Sequence, residues 1–95
     1  MNSNYYDNAK KFKALSDVNR LKIFEILLNE EKCACDILEY FDFTQSTLSH
    51  HMKILTDCEL IKCRKEGHWS WYSIDSGILN DFKLSIICLN IEKEV

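Results

Sequence analysis

The chain has 95 residues, of which 46% are hydrophobic and 28% are charged, and its formal net charge is −3. This length is enough for one compact domain over residues 1–95 and excludes a multidomain enzyme. No stretch reaches the ~20 consecutive apolar residues of a membrane-spanning helix, and residues 1–10 lack the apolar core of a secretory signal, so we expect a cytoplasmic protein without a membrane partner.

The first half of the chain predicts helices, because it contains no proline and no glycine. Residues 3–15 place apolar side chains at spacings of three and four, which indicates an amphipathic helix. A second helix over residues 18–28 follows, with Ser16 or Asp17 as its cap. Its expected core face consists of Val18, Leu21, Phe24, Leu27 and Leu28. After an acidic link, a short helix from about Cys33 to Phe41 is expected to bury Ala34, Ile37, Leu38 and Phe41.

Residues 44–57 predict a helix with one apolar and one polar face, capped by Thr44. At 100° per residue, Leu48, Met52 and Leu55 form the buried stripe. The opposite face carries small polar groups that suit hydrogen bonding to DNA base edges. The candidates for base contact are Gln45, Ser46, Thr47, Ser49 and His50. His51 lies nearer the core, and we expect it to be structural.

The spacing of apolar residues changes after Leu60, and residues 61–74 predict two strands joined at Gly67. This hairpin has a basic tip, and we expect Arg64, Lys65 and His68, together with Lys53 of the preceding helix, to contact phosphates or the groove margin. Asp75 or Ser76 can cap a last helix at about 77–93. That helix is apolar on nearly all sides, so one side is expected to meet a second copy of the chain in a homodimer.

Charge is distributed unevenly along these elements. The overall acidity argues against a nucleic-acid partner, since phosphate contacts need lysine and arginine. Residues 29–42, however, hold five acidic side chains against Lys32, whereas residues 43–74 carry a small basic excess and all three histidines. The segment that holds the polar helix and the hairpin can therefore face double-stranded DNA.

A helix, a tight turn, a second helix with a polar outer face and a hairpin make a winged helix-turn-helix. We predict a mainly α fold with about five helices and a two-stranded wing, the helix-turn-helix at about 33–57 and the wing at about 61–74. The sequence resembles the ArsR/SmtB family of metal-responsive repressors. The matching segments are FKALSDVNRLKIFEIL (12–27), KCACDI (32–37), TQSTLSHHMKIL (44–55) and LIKCRKEGHWSWYSI (60–74). The resemblance implies a homodimer, formed through the first and last helices, that leaves its inverted-repeat operator when an inducer binds.

Five cysteines, at 33, 35, 58, 63 and 88, form an odd set, and we expect reduced thiols. Cys33 and Cys35 match the C-x-C-D element that the resemblance assigns to metal binding. Soft thiolates suit arsenite or antimonite as inducer. Because residues i and i+2 of a regular helix point about 200° apart, we expect ligation to distort the first turn of the helix. Cys58, Cys63 and Cys88 are expected to be core residues.

Departures from the family pattern narrow the choice of inducer. The last helix has no histidine for a zinc site, and residues 1–32 have no cysteine of the cadmium and lead type. The third cysteine of well-known arsenic sensors is replaced by Leu38.

Glu59 stands where the family commonly has a helix-terminating glycine. A residue with a side chain at this position predicts local strain.

Two alternatives remain open at this stage: a thiol-redox or cadmium- or lead-responsive repressor of the same fold, and a winged-helix protein-interaction module. Trp69, Trp71 and Tyr72 are expected to pack in the wing and core. No recognisable motif joins a nucleophile, a base and an orienting group, so we expect neither an enzyme nor a catalytic cofactor.

Overall fold

A computed structural model describes the backbone of residues 5–94 and the side chains of residues 5–87. The helices are α1 (Tyr5–Leu15), α2 (Val18–Asn29), α3 (Ala34–Leu38), α4 (Gln45–Asp57) and α5 (Ser76–Glu94). The strands are β1 (Lys32–Cys33), β2 (Ile61–Glu66) and β3 (Trp69–Ile74). This order confirms the winged helix-turn-helix prediction. Residues 3 and 4 and the side chain of Cys88 lie outside the described residues.

Three helices begin at polar caps that the sequence suggested. Asp17 Oδ1 accepts hydrogen bonds from the backbone amides of Asn19 and Arg20. Thr44 Oγ1 accepts one from the amide of Thr47 at 3.2 Å. Asp75 Oδ1 accepts one from the amide of Ile78 at 3.1 Å. Each cap satisfies amides that have no partner within the helix, and so fixes where the helix starts.

The core lies between α2, α3, α4 and the start of β2. Its largest fully buried side chains are Ile23, Ile37, Leu48, Met52, Leu55, Leu60 and Ile61. The buried stripe predicted for α4 is thus confirmed. Around it pack half-buried side chains that include Phe24, Leu38, Tyr72 and Ile74.

The core face predicted for α2 is wrong in part. Val18 is 84% exposed and Leu21 and Leu28 are each 53% exposed, whereas Ile23 and Leu27 are buried. On a helical wheel Ile23 and Leu27 lie close together, and the exposed residues form a second apolar stripe on another side. The helix therefore has two apolar sides and packs only one of them on the core of its own chain.

The sheet has three strands in the order β1-β3-β2, not the two predicted. β1 pairs antiparallel with β3, which places Lys32 opposite Tyr72 and Cys33 opposite Trp71. Because residue 33 belongs to this strand, α3 starts at Ala34, and it ends at Leu38 rather than near Phe41. Ile37 is buried, while Ala34, Leu38 and Phe41 are half-buried.

The two terminal helices are in contact. The rings of Phe12 in α1 and Phe82 in α5 meet edge to face, with centroids 5.0 Å apart. Phe82 is buried, but Phe12 is 51% exposed and Ile87 of α5 is 52% exposed. Both helices therefore carry apolar surface that the described part of the chain leaves uncovered. Within that part, no helix combines the length and apolarity needed to cross a bilayer.

Candidate functional site

Cys33 and Cys35 lie side by side, with their Sγ atoms 2.8 Å apart. Cys33 precedes α3 with extended backbone (φ −80°, ψ 160°), so the two residues do not follow helical geometry. The premise of the predicted distortion, that both cysteines lie in a regular helix, is therefore wrong, because the extended residue 33 already turns its thiol towards Cys35. Cys33 is buried and Cys35 is exposed, so the pair is reached from solvent on the Cys35 side.

The surroundings of Cys33 favour its protonated thiol. The hydrogen bond with Cys35 raises the pKa of Cys33, and burial and the neighbouring Asp36 carboxylate raise it further. Lys32, the nearest cation in sequence, is instead paired with Glu30 at 3.0 Å, and that contact raises the pKa of Lys32. A partner that accepts the neutral thiol of Cys33, and releases water in exchange, fits this environment better than one that needs a preformed thiolate there.

The thiol pair has only a carboxylate as a third neighbouring donor. Sγ of Cys33, Sγ of Cys35 and a carboxylate oxygen of Asp36 lie within 4.8 Å of one another, and no other such group occurs among the described residues. Leu38, at the position of the expected third cysteine, packs against the core. A soft ion would thus find two sulfur donors here and one hard oxygen donor.

The other described cysteines lie elsewhere in the fold. Cys58 is buried and its thiol donates to the carbonyl of Leu55 at 3.2 Å, which confirms a core role. Cys63 is exposed, so the prediction that it is a core residue is wrong. Of β2 only Ile61 is buried, because the rest of the strand extends beyond the core into the wing.

An open cleft of about 360 Å³ adjoins the thiol pair. It is lined by Cys33, Cys35, Asp36, Glu66, Trp69 and Trp71. The two indoles come from β3, and Trp71 is paired with Cys33 across the sheet. Sequence reasoning assigned these tryptophans only to packing, because the two-residue strand that brings them to the cysteines carries no periodic signal.

The outer face of α4 carries the predicted base-contacting residues. Gln45, Ser46, Ser49 and His50 are exposed, and Thr47 is half-buried. Lys53 is exposed and pairs with Asp57 at 3.5 Å. The structure thus brings these side chains to one accessible face of a helix whose opposite face is anchored in the core.

His51 fixes α4 to the rest of the domain. Its Nδ1 accepts a hydrogen bond from Arg20 Nη1 at 3.2 Å, and Arg20 Nε donates to the carbonyl of Ala14 at 2.7 Å. Burial lowers the pKa of His51. The neutral imidazole therefore joins α4 to α2 and the end of α1, which agrees with the structural role expected from the sequence.

The wing residues predicted to contact DNA are exposed, but one of them is held by carboxylates. Lys65 and His68 are exposed near the hairpin turn, where Gly67 has φ +62°. The guanidinium of Arg64 lies 2.6 Å from Glu66 and 3.0 Å from Glu31, and these two hydrogen bonds raise the pKa of Arg64. No pattern in the sequence indicates the contact with Glu31, which lies 33 residues away.

Residues 17–62 match the family model described as bacterial regulatory protein, arsR family. An arsenical resistance operon repressor from Staphylococcus aureus is 43% identical over 95% of this chain and 86% of its own length. A cadmium resistance transcriptional regulatory protein CadC homolog, also from Staphylococcus aureus, is 44% identical over 76% of this chain and 60% of its own length.

Solved structures show the same fold. An ArsR-like transcriptional regulator from Rhodococcus sp. RHA1 has a TM-score of 0.84 at 23% identity, covering 95% of this chain and 85% of that one. The homodimeric winged helix-turn-helix DNA-binding domain Mb0332 from Mycobacterium bovis has a TM-score of 0.74 at 24% identity, covering 95% and 84%.

Proposed function

The chain belongs to the ArsR family of bacterial regulatory proteins, and on that premise we propose that it is a cytoplasmic, dimeric repressor released from operator DNA by trivalent arsenic or antimony. The observation that supports this inducer is the 2.8 Å distance between the Sγ atoms of Cys33 and Cys35, of which Cys35 is exposed. Arsenous acid exchanges hydroxyl groups for thiols with release of water, and two adjacent thiols can replace two of its hydroxyl groups.

DNA binding is proposed for the outer face of α4 and the wing. Gln45, Ser46, Thr47, Ser49 and His50 offer donors and acceptors to base edges in the major groove. We propose that phosphates or the groove margin are contacted by Lys53, Arg64, Lys65 and His68. Because binding depends on phosphate contacts and the chain is acidic overall, we expect a modest affinity that is sensitive to salt.

Release follows from the position of Cys33. This residue pairs with Trp71 in the sheet that carries the wing, and it also precedes α3, the first helix of the helix-turn-helix. A ligand bonded to Cys33 therefore acts on the wing and on α3 together. Release requires that the ligand bind the DNA-free arrangement more tightly than the DNA-bound one.

A second copy of the chain is proposed to cover the apolar surface of the terminal helices. Tyr5 and Phe12 of α1 and Leu84 and Ile87 of α5 are each more than 40% exposed. Apolar side chains on two adjacent helices are typical of a twofold interface. The homodimeric Mycobacterium bovis domain has this fold, and it supports the same assembly here.

Operator release tests the inducer. Fluorescence anisotropy of a labelled native promoter duplex would be measured with wild-type protein, Cys35→Ser and Cys63→Ser during arsenite titration. We expect release from the wild type and from Cys63→Ser, whose exposed thiol lies in the wing, and no release from Cys35→Ser. A wild-type complex that persists in arsenite, or a Cys35→Ser complex that dissociates, would refute the proposal.

The second candidate is a cadmium or thiol-redox sensor at the same pair, which the similarity to the CadC homolog favours. Titration with cadmium and with peroxide, followed by metal-thiolate absorption, distinguishes this sensor from the arsenic-responsive repressor.

A protein-interaction module without DNA binding is a third outcome. This alternative is supported if Lys53→Ala and Arg64→Ala leave the salt dependence of DNA affinity unaltered.

A further inference from the structure

The cysteine pair leaves one bond of trivalent arsenic without a sulfur ligand. Trivalent arsenic forms three bonds, and the described residues bring two thiols together. Leu38 packs against the core and Cys63 is exposed in the wing. The thiol of Cys58 donates a hydrogen bond to a backbone carbonyl inside the core. An arsenical that already carries one carbon substituent needs only two thiols to complete its bonds.

The cleft beside the thiols has room for such a substituent. Its volume is about 360 Å³, and a cavity of about 150 Å³ is known to admit benzene. Trp71 stands opposite Cys33 in the sheet, so its side chain borders the arsenic position. Trp69 is 55% exposed, so it has a free surface that a bound apolar group would cover.

The two indoles favour an aromatic group over an alkyl group. Aromatic rings in contact gain about 0.5–1.5 kcal/mol beyond the area that they bury, and a methyl group is too small to stack on them.

We propose that this site takes a trivalent arsenical with one aromatic substituent, with Cys33 and Cys35 bonding arsenic and Trp69 and Trp71 contacting the ring. The inference rests on the proposed function and names its ligand class. Phenylarsonous acid, C6H5As(OH)2, reacts with two thiols to give C6H5As(SR)2 and two molecules of water. Two As–O bonds break, two As–S bonds form, each thiol proton leaves with a hydroxyl group, and arsenic stays trivalent.

The test compares three ligands that differ only in the third substituent of arsenic: hydrated phenylarsine oxide, methylarsonous acid and arsenite. Their affinities for the DNA-free full-length protein would be measured by competition with dithiothreitol and native mass spectrometry. The variants are Trp69→Ala, Trp69→Phe, Cys35→Ser and Tyr40→Ala, the last being an exposed aromatic residue that does not line the cleft.

Wild type is expected to bind the phenyl compound more tightly than the methyl compound, relative to their affinities for dithiothreitol. Trp69→Ala should reduce that preference about fivefold to tenfold, as expected for the loss of one aromatic contact. Trp69→Phe should keep most of the preference, and Tyr40→Ala all of it. Binding of arsenite should change less than about twofold in the variants of Trp69 and Tyr40, since it has no group in the cleft.

The possible failures are distinguishable. Equal phenyl-to-methyl preference in the wild type and Trp69→Ala would overturn this inference while leaving the thiol site intact. Loss of all three ligands in Trp69→Ala would also overturn it, because the tryptophan would then support the thiols rather than the ring. If no ligand binds the wild type, or if Cys35→Ser binds all three as well, the proposed function itself fails.

Discussion

The guanidinium of Arg64 lies 3.0 Å from the carboxylate of Glu31, which joins the wing to the segment just before the thiol pair. Arg64 also contacts Glu66 and lies over the ring of Trp71, with Cζ 5.8 Å from the ring centroid. A cation proposed for DNA contact is thus held by two acidic side chains. Binding to phosphate has to compete with these contacts.

Removal of the Glu31 carboxylate, which competes with phosphate for Arg64, should strengthen DNA binding. Glu31→Gln is expected to increase affinity for the native promoter about twofold to fourfold, because a half-exposed ion pair contributes about 0.2–1 kcal/mol. The difference should shrink as salt increases, since exposed ion pairs are screened. Anisotropy titrations at two salt concentrations measure both effects.

Glu30→Gln is the matched control, since it makes the same charge change one residue earlier and Glu30 pairs with Lys32 instead of Arg64. A gain in affinity that is equal for the two variants would mean that only net charge matters. The proposed competition at Arg64 would then be excluded.

The Arg20–His51 contact predicts that stability depends on pH. Burial lowers the pKa of His51 below its usual 6.5, so between these two values the unfolded chain binds more protons than the folded one. The stability that neutral His51 provides is therefore fully present above pH 6.5 and is lost as pH falls through the folded pKa. Free energies of unfolding from urea titrations at pH 7.5 and 5.5, at one protomer concentration, should show the decrease.

His50→Gln should keep this pH dependence, because His50 is exposed, while His51→Gln should lack the part that arises from residue 51. An NMR titration of the histidine rings gives an independent measure, with a midpoint for His51 below 6.5. A midpoint at or above that value would contradict the assignment.

Glu59 has a left-handed backbone, with φ 70°, just after α4 ends. The strain expected from the sequence is therefore present, since a side chain disfavours this conformation by about 1 kcal/mol and glycine adopts it freely. Glu59→Gly is predicted to raise the free energy of unfolding by about 0.5–1 kcal/mol. Glu59→Ala removes the charge but keeps the strain, so its stability should stay close to that of the wild type. Equal stabilisation by both would point to charge instead.

The parts of the fold that the sequence predicted are those with a repeated local pattern. The α4 stripe recurs every three or four residues, and the caps Asp17, Thr44 and Asp75 precede apolar runs, so both could be predicted without tertiary information. Helix α2 has apolar residues on two sides, and the sequence alone does not indicate which of these sides packs on the core of its own chain.

The features of the site that sequence reasoning missed depend on single residues or on distant contacts. Whether Cys33 and Cys35 face each other depends on the extended conformation of residue 33, and that conformation comes from its pairing with Trp71. A two-residue strand has no period to detect. The contact of Glu31 with Arg64 likewise needs the folded sheet, because the two residues are 33 apart in sequence.

Leu38→Cys tests how many sulfur ligands the site lacks. Residue 38 lies three positions after Cys35 at the end of α3, and residues at this spacing lie on the same side of a helix. A third thiol should lower the arsenite concentration for half-release of DNA by about tenfold or more, equivalent to ~1.4 kcal/mol of binding free energy. Release by phenylarsine oxide should change less than about twofold, because carbon already occupies the third bond of arsenic.

Leu38→Ala is the control for lost packing, since Leu38 is half-buried against the core and its truncation should cost about 1–2 kcal/mol of stability. If Leu38→Cys responds to arsenite no better than Leu38→Ala, the thiol at 38 does not reach arsenic. If both arsenicals gain equally from Leu38→Cys, the substitution acts through the protein conformation and not as a third ligand. Only a gain confined to arsenite is the signature of a site that holds arsenic by two cysteines.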